Sequence, residues 1–296
     1  MKKKQDILII TIIILIIAYI LIYNQKITLI IKDSTILWFN KVFPSLFPMF
    51  ILNDLLLSYH IDYYICKIFK KNGLKYYVFI MSLLSGSPSS AYIIKRLYDD
   101  KIIDKYNANK LLSFTYFSSP LFLITMLSFL FTNKTTIIKI ILIHYLSNFI
   151  ISFFYKIETN DKLSYKVTKD FGSNFANAIN KAINTLLMIL GILTFYIIIS
   201  YIFIDIFNLN SITSSMIKGI LEVTQGLTFL NELFINEKLK IILATLYINF
   251  GGLSIHSQIK SIISDTSINY KYFLKGRIFQ TLISLILILK ITGIIL

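Results

Sequence analysis

Cysteine and charge are both scarce in this chain of 296 residues. Cys66 is the only cysteine, which excludes an intrachain disulfide and a metal site built from cysteines. Only 15% of the residues are charged, against about 25% in an average soluble domain. With 56% hydrophobic residues and a mean hydropathy of +0.71, the composition excludes a disordered chain and argues against an ordinary soluble enzyme.

Sequence signatures of common enzyme classes are also lacking. The chain has no HExxH zinc motif, no GxSxG nucleophile motif, no phosphate-binding loop and no GxGxxG dinucleotide motif. We therefore expect no enzymatic activity, no cofactor and no metal site. An ATP-driven pump would need a separate subunit.

Long apolar runs are what the sequence does contain. A transmembrane helix needs about 20 mostly apolar residues, and the run 7–23, behind the basic tail 1–6, is the first to qualify. No small-residue cleavage site follows it, so we expect a retained span with a cytoplasmic N-terminus. The predicted fold is an all-α, polytopic protein of the bacterial cell membrane, with about seven to nine membrane segments.

The formal net charge is +15, from 30 basic and 15 acidic residues. The basic residues lie in short loops between apolar runs, for example in residues 67–75 and 95–110. This placement fits contact with lipid headgroups and argues against a nucleic-acid partner. The lipid bilayer is therefore the expected partner, and the sequence leaves a homo-oligomer open.

The most polar stretch, residues 156–170, is the predicted boundary between two halves. We place an N-terminal membrane segment at residues 1–35, a first half at 36–156 and a second half at 171–296. A weak internal repeat supports this division, because Gly86 and Gly251 are each followed nine residues later by a lysine, Lys95 and Lys260. Paired, interrupted apolar segments in corresponding halves point to a transporter binding site.

Three apolar segments are interrupted near their middle by small and polar residues. Lipid offers no hydrogen-bond partners, so non-helical backbone at this depth must face protein or a water-filled cavity. The N-terminal end of a half-helix attracts anionic or polar groups, and the carbonyl end suits cations. The candidate binding residues at these interruptions are Ser85, Gly86, Ser87, Pro88, Ser118, Ser119, Pro120, Gly251, Gly252, Ser254, His256 and Gln258. The alternative is that the interruptions are kinks that only help helices to pack.

Carboxylates inside apolar runs mark two further candidate positions. A carboxylate at the bilayer centre costs about 2.5–3.5 kcal/mol on insertion scales, so such residues usually face the interior of a helical bundle. The candidates are Asn53, Asp54, Glu222, Thr224, Gln225 and Gly226. The alternative for Asp54 is a solvated position at the membrane interface.

Several stretches together resemble a known family. They are residues 43–56, the SGSP motif at 85–88, residues 112–122, the LEVTQG motif at 221–226 and FGGLSIHSQ at 250–258. In order and spacing they are similar to the YlbJ-type sporulation integral membrane proteins. That family carries the nucleoside-recognition or Gate domain, which it shares with concentrative nucleoside transporters and the membrane domain of the iron transporter FeoB. The family more often has Gly at the position of Ser90 and Glu at that of Asp54.

The resemblance covers the chain from about residue 36 to its end. It implies two Gate-like repeats with discontinuous or re-entrant helices and a role in spore formation, but it names no substrate. The favoured function is a transporter-like membrane protein that binds or moves a small polar solute during spore formation. One alternative is a non-transporting scaffold needed for assembly of the spore cortex.

Another alternative is an enzyme acting on a lipid-linked phosphate. Such chemistry needs a guanidinium near the phosphate, for bidentate charge stabilisation. We expect Arg96 in a basic connector and Arg277 in the last loop, both away from the interruptions. This placement argues against the enzyme.

Overall fold

The computed structural model describes residues 2–157 and 170–293, and within these ranges the chain is helical without strands. The predicted boundary between the halves falls mostly on residues 158–169, outside the described part. The helices of residues 2–157 are α1 (Lys2–Ile22), α2 (Asn24–Leu37), α3 (Phe43–Ser58), α4 (Ile61–Phe69), α5 (Gly73–Ser85), α6 (Ser89–Asp99), α7 (Lys105–Phe114), α8 (Pro120–Leu130) and α9 (Lys134–Phe153). Those of the second half are α10 (Phe171–Phe207), α11 (Ser211–Leu221), α12 (Val223–Glu232), α13 (Glu237–Phe250), α14 (Gly252–Ile262) and α15 (Tyr270–Ile291).

Among residues 2–157 and 170–293, six helical stretches are long and apolar enough, by length and composition, to cross a bilayer. They are Lys4–Ile22, Asn24–Ser58, Lys134–Phe153, Phe171–Phe207, Glu237–Ile262 and Tyr270–Ile291. The first of them is the most apolar, yet it is not buried against the rest of the described chain. A helix that is apolar on all sides and not covered by protein requires lipid around it. The predicted class, a multi-pass integral membrane protein, is confirmed.

The helix that follows α1 is continuous across the predicted boundary at residue 35. α2 passes directly into α3 through a single π-helical turn at Trp38–Val42. α3 then packs along α10, and their shared core includes Leu46, Phe50, Leu186 and Leu193. α3 and α10 are therefore joined along their length and form one wall of the bundle.

Within the described ranges, four pairs of helices are each separated by a short break in the helical backbone. The breaks lie at Gly86–Pro88 between α5 and α6, at 115–119 between α7 and α8, at Glu222 between α11 and α12, and at Gly251 between α13 and α14. The three predicted interruptions are all present, and the LEVTQG motif contains the fourth. α12 packs back against α11, with Gly226 lying directly on Gly219, so Glu222 lies at the tip of a hairpin.

The order of elements occurs twice along the chain. A long helix, two broken pairs and a long helix occur as α3, α5–α6, α7–α8, α9 and again as α10, α11–α12, α13–α14, α15, with α4 as an additional helix between α3 and α5. By element order, the break at Gly86 corresponds to the one at Glu222, whereas the Gly-to-Lys spacing pairs it with Gly251. The internal repeat stays a prediction.

Short polar residues determine where the long spans begin. Asn133 accepts a hydrogen bond from the Thr135 N–H at the start of α9, and Asp170 accepts one from Ser173 at the start of α10. Asn269 does the same for α15. Each such cap stabilises a helix by about 1 kcal/mol, so the caps set the register of the spans.

An ion pair joins α6 to the loop that follows α14. The Lys95 ammonium, near the end of α6, lies 2.7 Å from both carboxylate oxygens of Asp265 in the loop after α14. The hydrogen bond from Lys95 holds the pKa of the Asp265 carboxyl below its usual value. Because both partners are accessible to solvent, we expect this contact to orient the loop more than to stabilise the fold.

Candidate functional site

The four breaks meet at one space between the helices, which we call the central cavity. Its volume is about 50 Å³. Its polar wall consists of Ser87, Ser118, Ser119, Glu222, Thr224, Ser254 and Gln258, and every break contributes at least one of them. α3 and α10 close it on another side with apolar side chains, among them Leu46 and Leu193. Seven of the predicted site residues are thus brought together although they come from both halves of the chain.

Glycine allows the broken segments to approach each other this closely. Gly86 has a φ of +76°, and a Cβ atom at this position would lie 2.6 Å from the backbone nitrogen of Ser119. Gly251 has a φ of +88°, and its Cβ would lie 2.7 Å from the Tyr116 hydroxyl oxygen. Only glycine adopts such backbone angles without strain and leaves room for the neighbouring segment.

The N-termini of four half-helices, α6, α8, α12 and α14, border the central cavity. Each helix N-terminus carries a partial positive charge of about 0.5. Ser119 caps α8 by accepting from the Phe122 N–H at 3.3 Å, and the Glu222 carboxylate caps α12 by accepting from the Gln225 N–H at 2.6 Å. α6 and α14 begin at Pro88 and Gly251 without a capping side chain. The cavity is therefore electropositive at two uncapped helix ends.

Two serine hydroxyls that line the cavity have no hydrogen-bond partner in the described chain. They belong to Ser87 and Ser254, and the Ser254 residue is only 1% exposed. Leaving a buried hydroxyl unpaired costs free energy, so such groups in native proteins are normally satisfied by water or by a ligand. Ser87 lies just before the first turn of α6, and Ser254 lies in the first turn of α14; these are the two uncapped helices. The unpaired donors and the uncapped helix ends thus occupy the same part of the cavity.

The size of the cavity limits what it can hold. Pockets for drug-sized ligands measure about 300–1,000 Å³, whereas the central cavity has about 50 Å³. It admits a few water molecules or one polar group such as a carboxylate, and not a whole nucleoside. Among the described residues, no three His, Cys, Asp or Glu side chains lie close enough together to hold a metal ion.

A larger space, which we call the vestibule, lies one helical turn away along α3 and α10. It has a volume of about 400 Å³, and its polar lining includes Asn53, Asp54, Arg96 and Lys181. The Lys181 ammonium lies 2.9 and 3.1 Å from the two carboxylate oxygens of Asp54. The predicted residues Asn53 and Asp54 therefore line the vestibule and not the central cavity. Two cationic side chains face one carboxylate there.

The other predicted residues support the breaks without lining the cavity. The Ser85 hydroxyl donates to the Met81 carbonyl of its own helix, and Gln225 accepts from the Ser200 hydroxyl at 2.8 Å. His256 contacts the Tyr270 hydroxyl at 2.6 Å and the Phe250 carbonyl at 3.1 Å, so its ring links α15 to the residue before the break at Gly251.

The remaining predicted residues are prolines and glycines. Pro88 and Pro120 stand at the starts of α6 and α8, while Gly226 and Gly252 lie at close backbone contacts.

A buried polar network behind the second break was not predicted. Arg277 lies inside α15 and is 0% exposed, so its expected place in the last loop is wrong. Its guanidinium donates to the Ser113 carbonyl at 3.3 Å, to Asn148 Oδ1 at 3.2 Å and to Gln280 Oε1. The sequence placed Arg277 outside the spans because α15 begins with lysines, which are typical of a loop.

The same network holds the non-helical segment 115–119. Asn148 donates to the Tyr116 carbonyl, and the backbone N–H of Ser118 donates to Nε2 of His144 at 3.0 Å. His144 and Asn148 are four residues apart on α9, a spacing that places them on one face of the helix. The network therefore satisfies backbone groups that lost their helical partners at this break. Arg277 lines neither the central cavity nor the vestibule.

Comparison with known proteins shows similarity to a sporulation protein. The chain is 25% identical, over 299 aligned positions, to the sporulation integral membrane protein YlbJ of Bacillus subtilis (strain 168). The alignment covers 84% of this chain and 73% of that protein. No family model and no solved structure matches the chain. The likeness confirms the predicted resemblance to YlbJ-type proteins.

Proposed function

We propose that this chain is a membrane protein of spore formation that binds a small polar solute with an anionic group and moves it across the membrane. The likeness to a sporulation integral membrane protein supports the cellular role. The observation that carries the binding role is the meeting of four half-helix N-termini at the central cavity, where two buried serine hydroxyls have no partner in the described chain. A ligand with hydrogen-bond acceptors satisfies both features at once.

The charges at the site favour an anionic group on the solute. Four helix N-termini contribute about +0.5 each, and the Glu222 carboxyl group, which caps α12, contributes at most one negative charge. The vestibule adds Arg96 and Lys181 against Asp54. An acceptor group entering from the vestibule thus meets cationic side chains first and uncapped helix ends next. This sequence of contacts is the arrangement expected for an anion site at helix N-termini.

The kinship with Gate-type transporters stays a prediction. A cavity of about 50 Å³ takes one polar group of the solute, so the remainder would occupy the vestibule. The scaffold function predicts no role for the central cavity. The phosphatase-like enzyme has less support, because the buried guanidinium of Arg277 lines neither space. A homo-oligomer also stays a prediction.

The double variant Ser87→Ala, Ser254→Ala tests the proposal. Removing a buried hydroxyl that has no partner is neutral or stabilising for the fold, so we expect normal protein abundance. If the hydroxyls bind the solute, heat-resistant spores should fall at least tenfold. The measurement is complementation of a spore-forming host from which the gene has been deleted, with the protein quantified by immunoblot of the membrane fraction.

A matched control is available in two buried serines away from both spaces. Ser82 and Ser284 donate only to carbonyls of their own helices, to Val78 and Thr281. The double variant Ser82→Ala, Ser284→Ala should sporulate normally. Normal sporulation by the Ser87, Ser254 double variant at wild-type abundance would contradict solute binding and favour the scaffold.

A further inference from the structure

A groove of about 620 Å³ lies where α9 ends and α5 begins, away from the central cavity. One side consists of Lys71, Asn72, Lys75 and Tyr76, at the start of α5 and just before it. The other side consists of Phe149, Ser152, Phe153, Tyr155, Lys156 and Ile157, at the end of α9 and just after it. None of these residues lines the central cavity or the vestibule, so the groove is a separate feature.

The charged residues of the groove are basic in the part of the chain that the structure describes. Three lysines line it, and no acidic side chain does among residues 2–157 and 170–293. Lys75 is held in place, because its ammonium donates to the Ser152 carbonyl at 2.5 Å and to the Tyr155 carbonyl at 3.1 Å, at the C-terminal end of α9. Lys71 and Lys156 are exposed on the two sides of the groove. The groove thus presents positive charge from both walls.

The apolar part of the groove lies at the end of a membrane span. Lys134–Phe153 is one of the stretches of the described chain that are long and apolar enough to cross a bilayer, and Phe153 is its last residue. Phe149 and Phe153 line the groove and are exposed, and Phe154 beside them is also exposed. Aromatic side chains commonly lie at this depth. The lysines, just beyond the end of the span, are then level with the lipid phosphates.

We propose that this groove binds one anionic phospholipid, with the headgroup phosphate between Lys71 and Lys156 and an acyl chain along Phe149 and Phe153. A soluble phosphate would use the lysines but would leave the aromatic side chains without a partner. Basic pockets between membrane helices are known to bind anionic headgroups. The lipid would contact both the end of α9 and the start of α5 and so stabilise the folded bundle.

The test measures the thermal midpoint of the purified full chain in detergent, with added dioleoyl phosphatidylglycerol or dioleoyl phosphatidylcholine. Ligands that bind only the folded state raise its midpoint. We expect the anionic lipid to raise the midpoint by several degrees more than the zwitterionic lipid. The double variant Lys71→Ala, Lys156→Ala should lose at least half of this difference.

The matched control is Lys105→Ala, Lys260→Ala. Both lysines are exposed and lie outside the groove, and the change in net charge is the same. The control should keep the full difference between the two lipids. The proposal is overturned if the Lys71, Lys156 variant also keeps it, if both double variants lose it equally, or if soluble glycerol 3-phosphate alone reproduces the stabilisation. None of these outcomes depends on whether the central cavity binds a solute.

Discussion

Replacing Gly276 by Ala should destabilise the protein by about 3 kcal/mol or more, at the upper end of the cost of overpacking. Gly276 lies in α15 against α7, and a Cβ atom at this position would lie 1.8 Å from the Ser113 carbonyl oxygen and 2.6 Å from its carbon. Both atoms belong to the backbone, so no side-chain rotation can relieve the contact. The helices must separate, which also weakens the bond from Arg277 to the same carbonyl.

Gly191→Ala is the matched control for this prediction. Gly191 lies inside α10, and nothing lies within 4 Å of where its Cβ would be. Alanine is the better helix former by about 1 kcal/mol, so this variant should be as stable as the wild type or slightly more stable. Thermal unfolding of the purified variants in the same detergent measures both effects. A Gly276→Ala protein that unfolds at the wild-type temperature would show that α7 and α15 do not pack as described.

Replacing Arg277 by Lys should also have a large effect, although the charge is retained. The guanidinium donates to three acceptors from three helices, Ser113, Asn148 and Gln280. Lysine is a point charge with a different reach and cannot reproduce this planar fork. A buried cation would then keep its desolvation cost while losing hydrogen bonds worth about 1.5–3 kcal/mol each. We expect a loss of roughly 2–5 kcal/mol in the free energy of unfolding, on the same basis.

Arg96→Lys provides the control, since Arg96 and Arg277 are the only arginines of the chain. The Arg96 side chain is 48% exposed and lies 3.8 Å from the Asp100 carboxylate. Exposed pairs of this kind contribute about 0–1 kcal/mol, so Arg96→Lys should unfold within a degree or two of the wild type. Equal midpoints for the two variants would mean that the fork of Arg277 is not needed to hold the segment 115–119.

The positions of the helix breaks were predictable because their cause is local. Glycine, proline and serine in the middle of an apolar run interrupt a helix wherever that run lies. The motifs around Gly86, Pro120 and Gly251 therefore indicated the breaks directly. Nearness in sequence to a break did not decide which side chains line the cavity, as His256 illustrates. Its ring follows the break in sequence, but it bonds to Phe250 and Tyr270 and does not line the cavity.

By itself, the sequence determined the membrane class and three of the four places where the described helices break, since these follow from hydropathy and backbone preference over short windows. Only the tertiary structure decided that four breaks share one cavity, that Asp54 faces Lys181 in a separate vestibule, and that Arg277 is buried behind the second break. These facts depend on the faces through which helices distant in sequence pack. Nearly uniform apolar runs do not encode such faces, because lipid and protein interior favour the same side chains.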